Sequence, residues 1–217
     1  MANVNRLALL GVSHRRGGLS ALEAWQAEGG AWALERLREA GVVECVPIVT
    51  CNRWDAVAVL PPGLEPKQVR EWLRLGGSGL KPYAYAGEGA LEQLTRVAAS
   101  LDSLNPGEDQ IMAQVREAYR AAEAAGTTGR LTAFAFDTAL RIAKRVRREL
   151  RLAPLDTSLF SLARPALEPL LRPGDTVAVL GAGTMATLAA KTLRSLPDLR
   201  LLIANRDAER GARLARE

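Results

Sequence analysis

The glycine-rich segment GAGTMA at residues 181–186 constrains the fold of this chain more than any other feature. It directly follows an apolar run at residues 176–180, which we predict to be a strand, and it opens a predicted helix at residues 187–196. Glycines in this context allow a tight turn and let backbone amides approach a pyrophosphate at the positive end of the helix. A further apolar strand at residues 200–204 completes a strand–helix–strand unit of the α/β class.

The end of the second predicted strand indicates which dinucleotide such a unit prefers. An NAD-binding site usually has an acidic residue here, whereas this chain has Asn205 and Arg206. An amide and a guanidinium favour a 2′-phosphate, so we predict NADPH as the cofactor. The alternative is a strand–helix–strand unit that binds no nucleotide. The predicted cofactor-binding residues are Gly181, Ala182, Gly183, Thr184, Met185, Asn205 and Arg206.

The N-terminal part of the chain has a different organisation. Its pattern predicts strands at residues 7–12, 42–49, 54–60 and 80–85, and helices at residues 20–40 and 66–75. The order β-α-β-β-α-β predicts a ferredoxin-like α+β domain. We expect the first helix to be interrupted at Gly29 and Gly30. Long helices follow, so we assign residues 1–153 to this domain and residues 154–217 to a linker helix and an incomplete Rossmann-type unit.

The last long helix of the first domain carries much of the positive charge. Seven basic and two acidic residues lie between Arg130 and Arg151, and the net charge of the whole chain is +5. This stripe is either a phosphate-binding surface or a solvated helix face. We predict that the arginines face outward and that the apolar side chains face inward, namely Ala135, Ala139, Ile142, Val146 and Leu150.

Composition excludes several classes of protein. A hydrophobic fraction of 48% excludes wholesale disorder. No apolar run approaches the roughly 20 residues that cross a bilayer, so we predict no membrane segment. Two cysteines in 217 residues do not make a disulfide scaffold, which fits a reducing cytoplasm. We predict no metal site.

The tetrapeptide at residues 50–53, TCNR, lies between two predicted strands, where a tight connection would present side chains at one end of a sheet. A thiol beside a guanidinium is biased toward the thiolate, which is the nucleophilic form. Cys51 is therefore a candidate nucleophile next to Arg53. The alternative is a buried structural cysteine, which is what we expect of Cys45 within its apolar strand.

Several segments occur together in a fixed order, and their combination is more specific than any one of them. They are GVSHR at residues 11–15, TCNR at 50–53, LDS at 101–103, GEDQI at 107–111, ALRIAKRVR at 139–147, LGAGTM at 180–185 and ANR at 204–206. This series resembles glutamyl-tRNA reductase, the first committed enzyme of tetrapyrrole synthesis by the five-carbon route. The resemblance covers nearly the whole chain.

The resemblance implies a catalytic N-terminal domain and a role for individual residues. Cys51 matches the family nucleophile, which attacks the ester of glutamyl-tRNA(Glu) and forms a glutamyl thioester; hydride from NADPH then releases glutamate-1-semialdehyde. Glu108 equally fits a capping box that follows Asn105 and Pro106. The residues that match the family's substrate pocket are Thr50, Arg53, Ser103, Glu108, Gln110 and Gln114.

The chain departs from the family pattern at two places. Residues 16–18, RGG, replace the usual Thr-Ala-Pro, and Gln93 stands where the family has a histidine. A glutamine can form hydrogen bonds but cannot exchange a proton near neutral pH. His14 is the only histidine, and it either replaces the missing imidazole or closes a strand with a hydrogen bond. Alternative interpretations are therefore a non-catalytic NADP- or tRNA-binding regulator and an unrelated dehydrogenase with a fortuitous cysteine.

The resemblance also implies partners. Family members continue into a completed nucleotide domain and a helical dimerisation domain, so we expect the full-length protein to be a homodimer and this chain to bind NADPH weakly. Because the aldehyde product is unstable in water, hand-over to glutamate-1-semialdehyde aminomutase is a further expectation from the family.

Overall fold

The computed structural model describes residues 4–75, 81–103, 110–150, 159–196 and 198–216. The chain divides into two compact units, Met1–Ala153 and Pro154–Glu217. None of the helices in the described ranges is long and apolar enough to span a membrane.

The first unit contains a four-stranded antiparallel sheet with the strand order β2-β3-β1-β4. The predicted order β-α-β-β-α-β is found in the structure. The strands are β1 (Leu7–Ser13), β2 (Cys45–Thr50), β3 (Arg53–Val59) and β4 (Tyr83–Ala86). The helices are α1 (Leu19–Ala24), α2 (Gly30–Glu39), α3 (Pro66–Leu75), α4 (Glu88–Ala98), α5 (Gln110–Ala124) and α6 (Arg130–Glu149).

Helices cover both faces of this sheet. Leu7, Leu9 and Val57 point to one face and belong to a core that includes side chains of α4, α5 and α6. Ala8 and Leu10 point to the other face, in a core with side chains of α1, α2 and α3. All residues of β1 and β3 are therefore buried. β1 is accordingly a nearly continuous apolar run, whereas β3 also contains the buried charged residues Arg53 and Asp55.

The predicted interruption at Gly29 and Gly30 is wrong. A π-helical turn, Trp25–Gly29, joins α1 to α2 without a break in the helix. A Cβ on Gly29 would lie 2.7 Å from the ring of Trp25, and one on Gly30 would lie 2.7 Å from Nε1 of Trp54. The two tryptophans pack edge to face with ring centroids 6.0 Å apart. The glycine pair therefore makes room for two indoles and does not end the helix.

Helix α6 differs from its prediction at its C-terminal end. Arg147 is only 4% exposed, so the expectation that all arginines face outward is wrong there. It lies four residues after buried Ala143, on the inward stripe of a helix with 3.6 residues per turn. Leu150 follows the last helical residue and is 60% exposed, so its predicted burial is also wrong. The predicted cap at Asn105, Pro106 and Glu108 lies outside the described residues.

The N-terminus of α6 is capped from a distant part of the chain. Oε2 of Glu44, just before β2, accepts hydrogen bonds from the backbone N–H and the hydroxyl of Thr132, both at 2.9 Å. A carboxylate at this position satisfies amide groups that have no partner within the helix and interacts favourably with the helix dipole.

The second unit is built on two parallel strands. β5 (Thr176–Leu180) and β6 (Arg200–Ala204) have the predicted bounds, and they pair in register from Thr176–Arg200 to Leu180–Ala204. Helix α8 (Thr184–Arg194) connects them and begins three residues earlier than predicted. Helix α7 (Leu159–Leu167) comes before this pair, and α9 (Ala208–Arg216) follows it.

Candidate active site

Cys51 lies at the tip of a tight hairpin between β2 and β3. Only Cys51 and Asn52 separate the two strands, and Thr50 pairs with Arg53 across the hairpin. The amide of Asn52 donates to Oγ1 of Thr50 at 3.2 Å. Nε2 of Gln26 donates to the carbonyl oxygens of Thr50, at 2.8 Å, and Arg53, at 3.1 Å. The hairpin is thus anchored to the rest of the first unit, and Cys51 is exposed at its tip.

His14 joins the end of β1 to this hairpin. Its backbone N–H and its ring Nδ1 both bind the carbonyl oxygen of Asn52, at 3.1 and 3.0 Å. Because a carbonyl oxygen can only accept, Nδ1 carries a proton, and the neutral ring presents Nε2 as an acceptor. The expectation that His14 closes the strand with a hydrogen bond is confirmed.

Cys45 has a different environment from Cys51. It is half-buried in β2 and packs against the core on the α1–α3 face of the sheet. Burial raises the pKa of the Cys45 thiol to about 12. Cys45 is therefore a protonated structural cysteine at neutral pH, whereas Cys51 is accessible to a substrate.

Arg53 lies between two carboxylates. Its side chain is only 3% exposed; NH1 is 3.3 Å from Oδ2 of Asp55, and NH2 is 3.0 Å from Oδ2 of Asp102. NH2 also donates to the backbone carbonyl of Asp102. Burial alone would lower the pKa of Arg53, but the nearby Asp55, Tyr83 and Asp102 raise it above its ordinary value. The guanidinium is therefore charged and already bound by acidic groups of the protein.

Asp55 is fully buried within the sheet. Burial raises its pKa to about 6, and the favourable contact with Arg53 does not offset this effect. The hydroxyl of Tyr83 donates to Oδ1 of Asp55, and burial together with this carboxylate raises the pKa of Tyr83. Gly11, its neighbour on β1, leaves space for the carboxylate, because a Cβ there would lie 2.1 Å from Oδ1 of Asp55. A glycine inside an apolar strand was the sequence signal for this close approach.

Asp102 connects three elements of the first unit. Its carboxylate accepts from Arg53, from NH1 of Arg15 at 3.1 Å and from Nε2 of Gln93 at 2.9 Å. NH2 of Arg15 also donates to the carbonyl oxygen of Ser103 at 2.9 Å. No local pattern indicated a site role for Asp102, because two of its donors, Arg15 and Arg53, come from distant parts of the chain.

The remaining predicted pocket residues lie at different places. Ser103 is buried, and its hydroxyl forms a 2.6 Å hydrogen bond with that of Ser100. Gln110 is half-buried at the start of α5, and Gln114 is exposed one turn later. Glu108 lies outside the described residues.

A cleft of about 410 Å³ opens next to this network. Ser13, at the end of β1, lines it, and its neighbour His14 contacts the Cys51 hairpin, so the cleft and the thiol lie at the same end of the sheet. We call it the arginine cleft; its walls include Arg15, Arg16, Tyr83, Gln93, Arg96 and Asp102.

The glycine loop of the second unit has the geometry that its sequence predicts. Gly181 has a φ of +105° and donates its N–H to the carbonyl oxygen of Ala204 at 2.7 Å. Gly183 directly precedes α8, and a Cβ on either glycine would meet no atom within 4 Å. The backbone at the start of α8 is thus open to a ligand, as a dinucleotide phosphate requires.

The other predicted cofactor residues lie around this loop. Ala182 is largely buried, Met185 is partly exposed and Thr184 is the first residue of α8. At the end of β6, Arg206 is exposed, and Nδ2 of Asn205 donates to the carbonyl oxygen of Asp207 at 2.8 Å. A residue that the sequence did not indicate, Arg210 on α9, donates to the carbonyl oxygen of Ala182 at 3.0 Å.

Comparison with known proteins identifies the family. The family model described as "Glutamyl-tRNAGlu reductase, N-terminal domain" matches residues 10–150, which is more than half of the chain. The chain belongs to the glutamyl-tRNA reductase family. A second model, described as "Shikimate / quinate 5-dehydrogenase", matches residues 162–217 of this family member.

Individual glutamyl-tRNA reductases support this assignment. Glutamyl-tRNA reductase 2 of Anaeromyxobacter dehalogenans is 36% identical over 99% of this chain and 49% of its own length. The enzyme of Moorella thermoacetica is 37% identical over 94% of this chain and 49% of its own length. The structure of the Methanopyrus kandleri enzyme superposes with a TM-score of 0.66 at 30% identity, covering 98% of this chain and 52% of that one. The chain thus spans about half the length of these relatives.

Proposed function

We propose that this chain carries the acyl-transfer site of a glutamyl-tRNA reductase, with Cys51 as the nucleophile. The observation that supports this best is the exposed position of Cys51 on an anchored hairpin, at the end of the sheet where Arg53 and Asp102 lie. The relatives named glutamyl-tRNA reductase match 99% and 94% of this chain.

The first step transfers the glutamyl group from tRNA to sulfur. The sulfur of Cys51 attacks the ester carbonyl carbon, so that a C–S bond forms and the bond to the ribose oxygen breaks. The thiol proton ends on that ribose oxygen, and the tRNA leaves. No oxidation or reduction occurs in this step, because a thioester and an ester have the same oxidation level. His14, which contacts the hairpin through Nδ1, is a candidate to carry the proton on Nε2.

The pocket for the glutamyl group is proposed to involve Thr50, Arg53, Ser103, Glu108, Gln110 and Gln114. Since Asp55 and Asp102 already bind the guanidinium of Arg53 and its side chain is buried, a substrate carboxylate would compete with them for this group. Arg15 is the more accessible cation, because its side chain is 50% exposed.

We propose the glycine loop and the end of β6 as the NADPH site. Gly181, Gly183 and the N-terminus of α8 would hold the pyrophosphate, and Arg206 would hold the 2′-phosphate. When bound, NADPH supplies the hydride that turns the thioester into glutamate-1-semialdehyde. We assign the first unit to the ferredoxin-like class on its strand order, and the second to an incomplete Rossmann-type unit. The aminomutase partner, the homodimer of the full-length protein and a cytoplasmic location remain expectations from the family.

A single-turnover experiment tests the assignment of Cys51. The chain is mixed with tRNA(Glu) carrying radiolabelled glutamate, without NADPH, and protein-bound label is measured after acid quench. We expect stoichiometric label on the parent chain and none on Cys51→Ser. Cys45→Ser is the matched control, because Cys45 is half-buried and protonated, and it should acylate like the parent. Equal labelling of Cys51→Ser and parent would refute the assignment.

A non-catalytic tRNA-binding regulator is the second candidate. The observation in its favour is Gln93, which donates to Asp102 but cannot exchange a proton as the family histidine can. In the same experiment, the regulator predicts that the chain binds glutamyl-tRNA while all label stays on the tRNA.

A further inference from the structure

We infer that the arginine cleft binds the 3′-terminal segment of the tRNA substrate and that Arg16 contacts one of its phosphates. The inference rests on the proposed function, because the reacting ester is at the 3′ end of the tRNA. It assigns to this chain a binding residue at a position where it departs from its family, since Arg16 begins the segment that replaces Thr-Ala-Pro.

The charges of the cleft support a polyanionic ligand. Three arginines and two acidic residues line it, namely Arg15, Arg16, Arg96, Glu92 and Asp102. Arg15 is held by Asp102 at 3.1 Å, and Arg96 lies 3.8 Å from Glu92. Within the described ranges of the chain, Arg16 pairs with no carboxylate. The uncompensated positive charge of the cleft is therefore at Arg16.

Arg16 is also positioned for binding. Its guanidinium lies 5.1 Å from the centroid of the Tyr83 ring, and its carbonyl oxygen accepts from the amide of Lys81 at 3.0 Å. A cation–π contact uses none of the N–H groups of a guanidinium, so those groups stay available for a phosphate. Tyr83 and Tyr85, with ring centroids 5.7 Å apart, both line the cleft. Arginines beside aromatic rings are typical of sites that bind single-stranded nucleic acid.

The location of the cleft matches the end of the tRNA. Ser13 lines the cleft, His14 contacts the Cys51 hairpin, and Arg15 and Arg16 follow directly in the chain. An acceptor end that reaches the sulfur of Cys51 therefore passes the mouth of the cleft. Arg16 is assigned to binding and not to the acyl transfer itself, because its contacts in the described part of the chain are with Tyr83 and Lys81.

The test measures binding of uncharged tRNA(Glu) to the whole chain by fluorescence anisotropy over a range of salt concentrations. We expect Arg16→Ala to weaken binding roughly tenfold and to lower the salt dependence by about one phosphate contact. Arg16→Lys should fall between the parent and Arg16→Ala. The matched control is Arg36→Ala on α2, because Arg36 also stacks on an aromatic ring, 5.4 Å from the centroid of Trp72, but lies outside the cleft. It should bind like the parent.

Two further measurements locate the contact. An acceptor-stem minihelix that ends in CCA should show the same loss with Arg16→Ala as whole tRNA; a loss seen only with whole tRNA would overturn the acceptor-end assignment. At saturating glutamyl-tRNA, Arg16→Ala should acylate Cys51 at the parent rate, so that only the half-saturating concentration rises.

If Arg16→Ala instead weakens the binding of NADPH and not that of tRNA, the cleft belongs to the dinucleotide and the inference is wrong. If the parent binds tRNA but does not acylate, the proposed function fails and the binding result still stands.

Discussion

Nε2 of Gln93 donates a 2.9 Å hydrogen bond to Oδ2 of Asp102, the same carboxylate oxygen that lies 3.0 Å from NH2 of Arg53. Gln93 is 8% exposed, so this contact is largely shielded from water. Gln93 thus supports the carboxylate that holds Arg53. A glutamine acts through hydrogen bonds and cannot exchange a proton near neutral pH.

This relationship gives a prediction for Gln93. Gln93→Leu removes the donor at similar size, and a lost hydrogen bond to a charged group costs about 1.5–3 kcal/mol, so we expect Cys51 acylation to slow at least roughly tenfold. Gln93→His restores a donor and adds a group that titrates, so its acylation rate should show an additional pH-dependent change between about pH 6 and pH 8 that is absent from the parent profile. Acylation rates from pH 5.5 to 8.5 check both. If Gln93→Leu acylates at the parent rate at every pH, Gln93 does not position Asp102 for the reaction.

A second prediction concerns the pH dependence of stability. Burial raises the pKa of Asp55 from 3.8 to about 6, so the folded state binds this proton more tightly than the unfolded state. The protonation of Asp55 therefore makes its full contribution to the free energy of unfolding below about pH 4. This contribution is lost as the pH rises to about 6, by up to about 1.4 kcal/mol per pH unit. In urea unfolding at a series of pH values, Asp55→Asn should abolish this decrease of the unfolding free energy with pH. Asp137→Asn, at an exposed position on α6, should retain it. Equal slopes in Asp55→Asn and parent would contradict the buried ionisation of Asp55.

Gly11 provides a third prediction. A Cβ at this position would lie 2.1 Å from Oδ1 of Asp55 and 2.5 Å from the carbonyl oxygen of Trp54, so strands β1 and β3 would have to separate. We expect Gly11→Ala to lower the free energy of unfolding by about 3 kcal/mol or more. Gly89→Ala is the control, because a Cβ there meets nothing within 4 Å in helix α4, and it should leave stability unchanged or raise it by up to about 1 kcal/mol. Thermal and urea unfolding of both variants decide the matter; a fully stable Gly11→Ala chain would show that the close contact is not required.

The fourth prediction tests the dinucleotide preference. Arg206 is exposed at the end of β6, on the same edge as Gly181, whose amide binds Ala204. Arg206→Ala should reduce the ratio of NADPH to NADH affinity about tenfold or more, because a guanidinium–phosphate contact is lost only with NADPH. Fluorescence titration with each nucleotide measures this ratio. Arg213→Ala, at an exposed position further along α9, should keep the parent ratio. A preference unaffected by Arg206→Ala would place the 2′-phosphate elsewhere.

Local patterns in the sequence were sufficient for much of the fold. The apolar runs of β5 and β6 predicted their bounds, because each is a short, mostly apolar run that ends at a turn residue, Gly181 or Asn205. The turn before α8 was predictable because only glycine readily adopts the φ of +105° that is found at Gly181. The tight hairpin at Cys51 and the hydrogen bond of His14 were also anticipated, because both join neighbouring segments of a simple sheet.

Contacts between segments that are distant in the chain could not be predicted from local patterns. Gly29 and Gly30 have the propensity of helix breakers, and their actual role depends on the packing of Trp25 and Trp54 against them. Nothing in the local sequence around Glu44 indicates that its carboxylate binds Thr132 at the start of α6. Both assignments depend on which elements pack together, and local propensity does not contain that information.

The order of elements, the family and the position of a thiol at a sheet end could be predicted from the amino-acid sequence, because these depend on short segments whose chemistry is local. The enclosure of Arg53 by Asp55 and Asp102, and the hydrogen bonds of Gln93 and Arg15 to Asp102, follow from how the elements pack together. A buried charge requires partners, and one partner of Arg53, Asp102, lies 49 positions away in the chain.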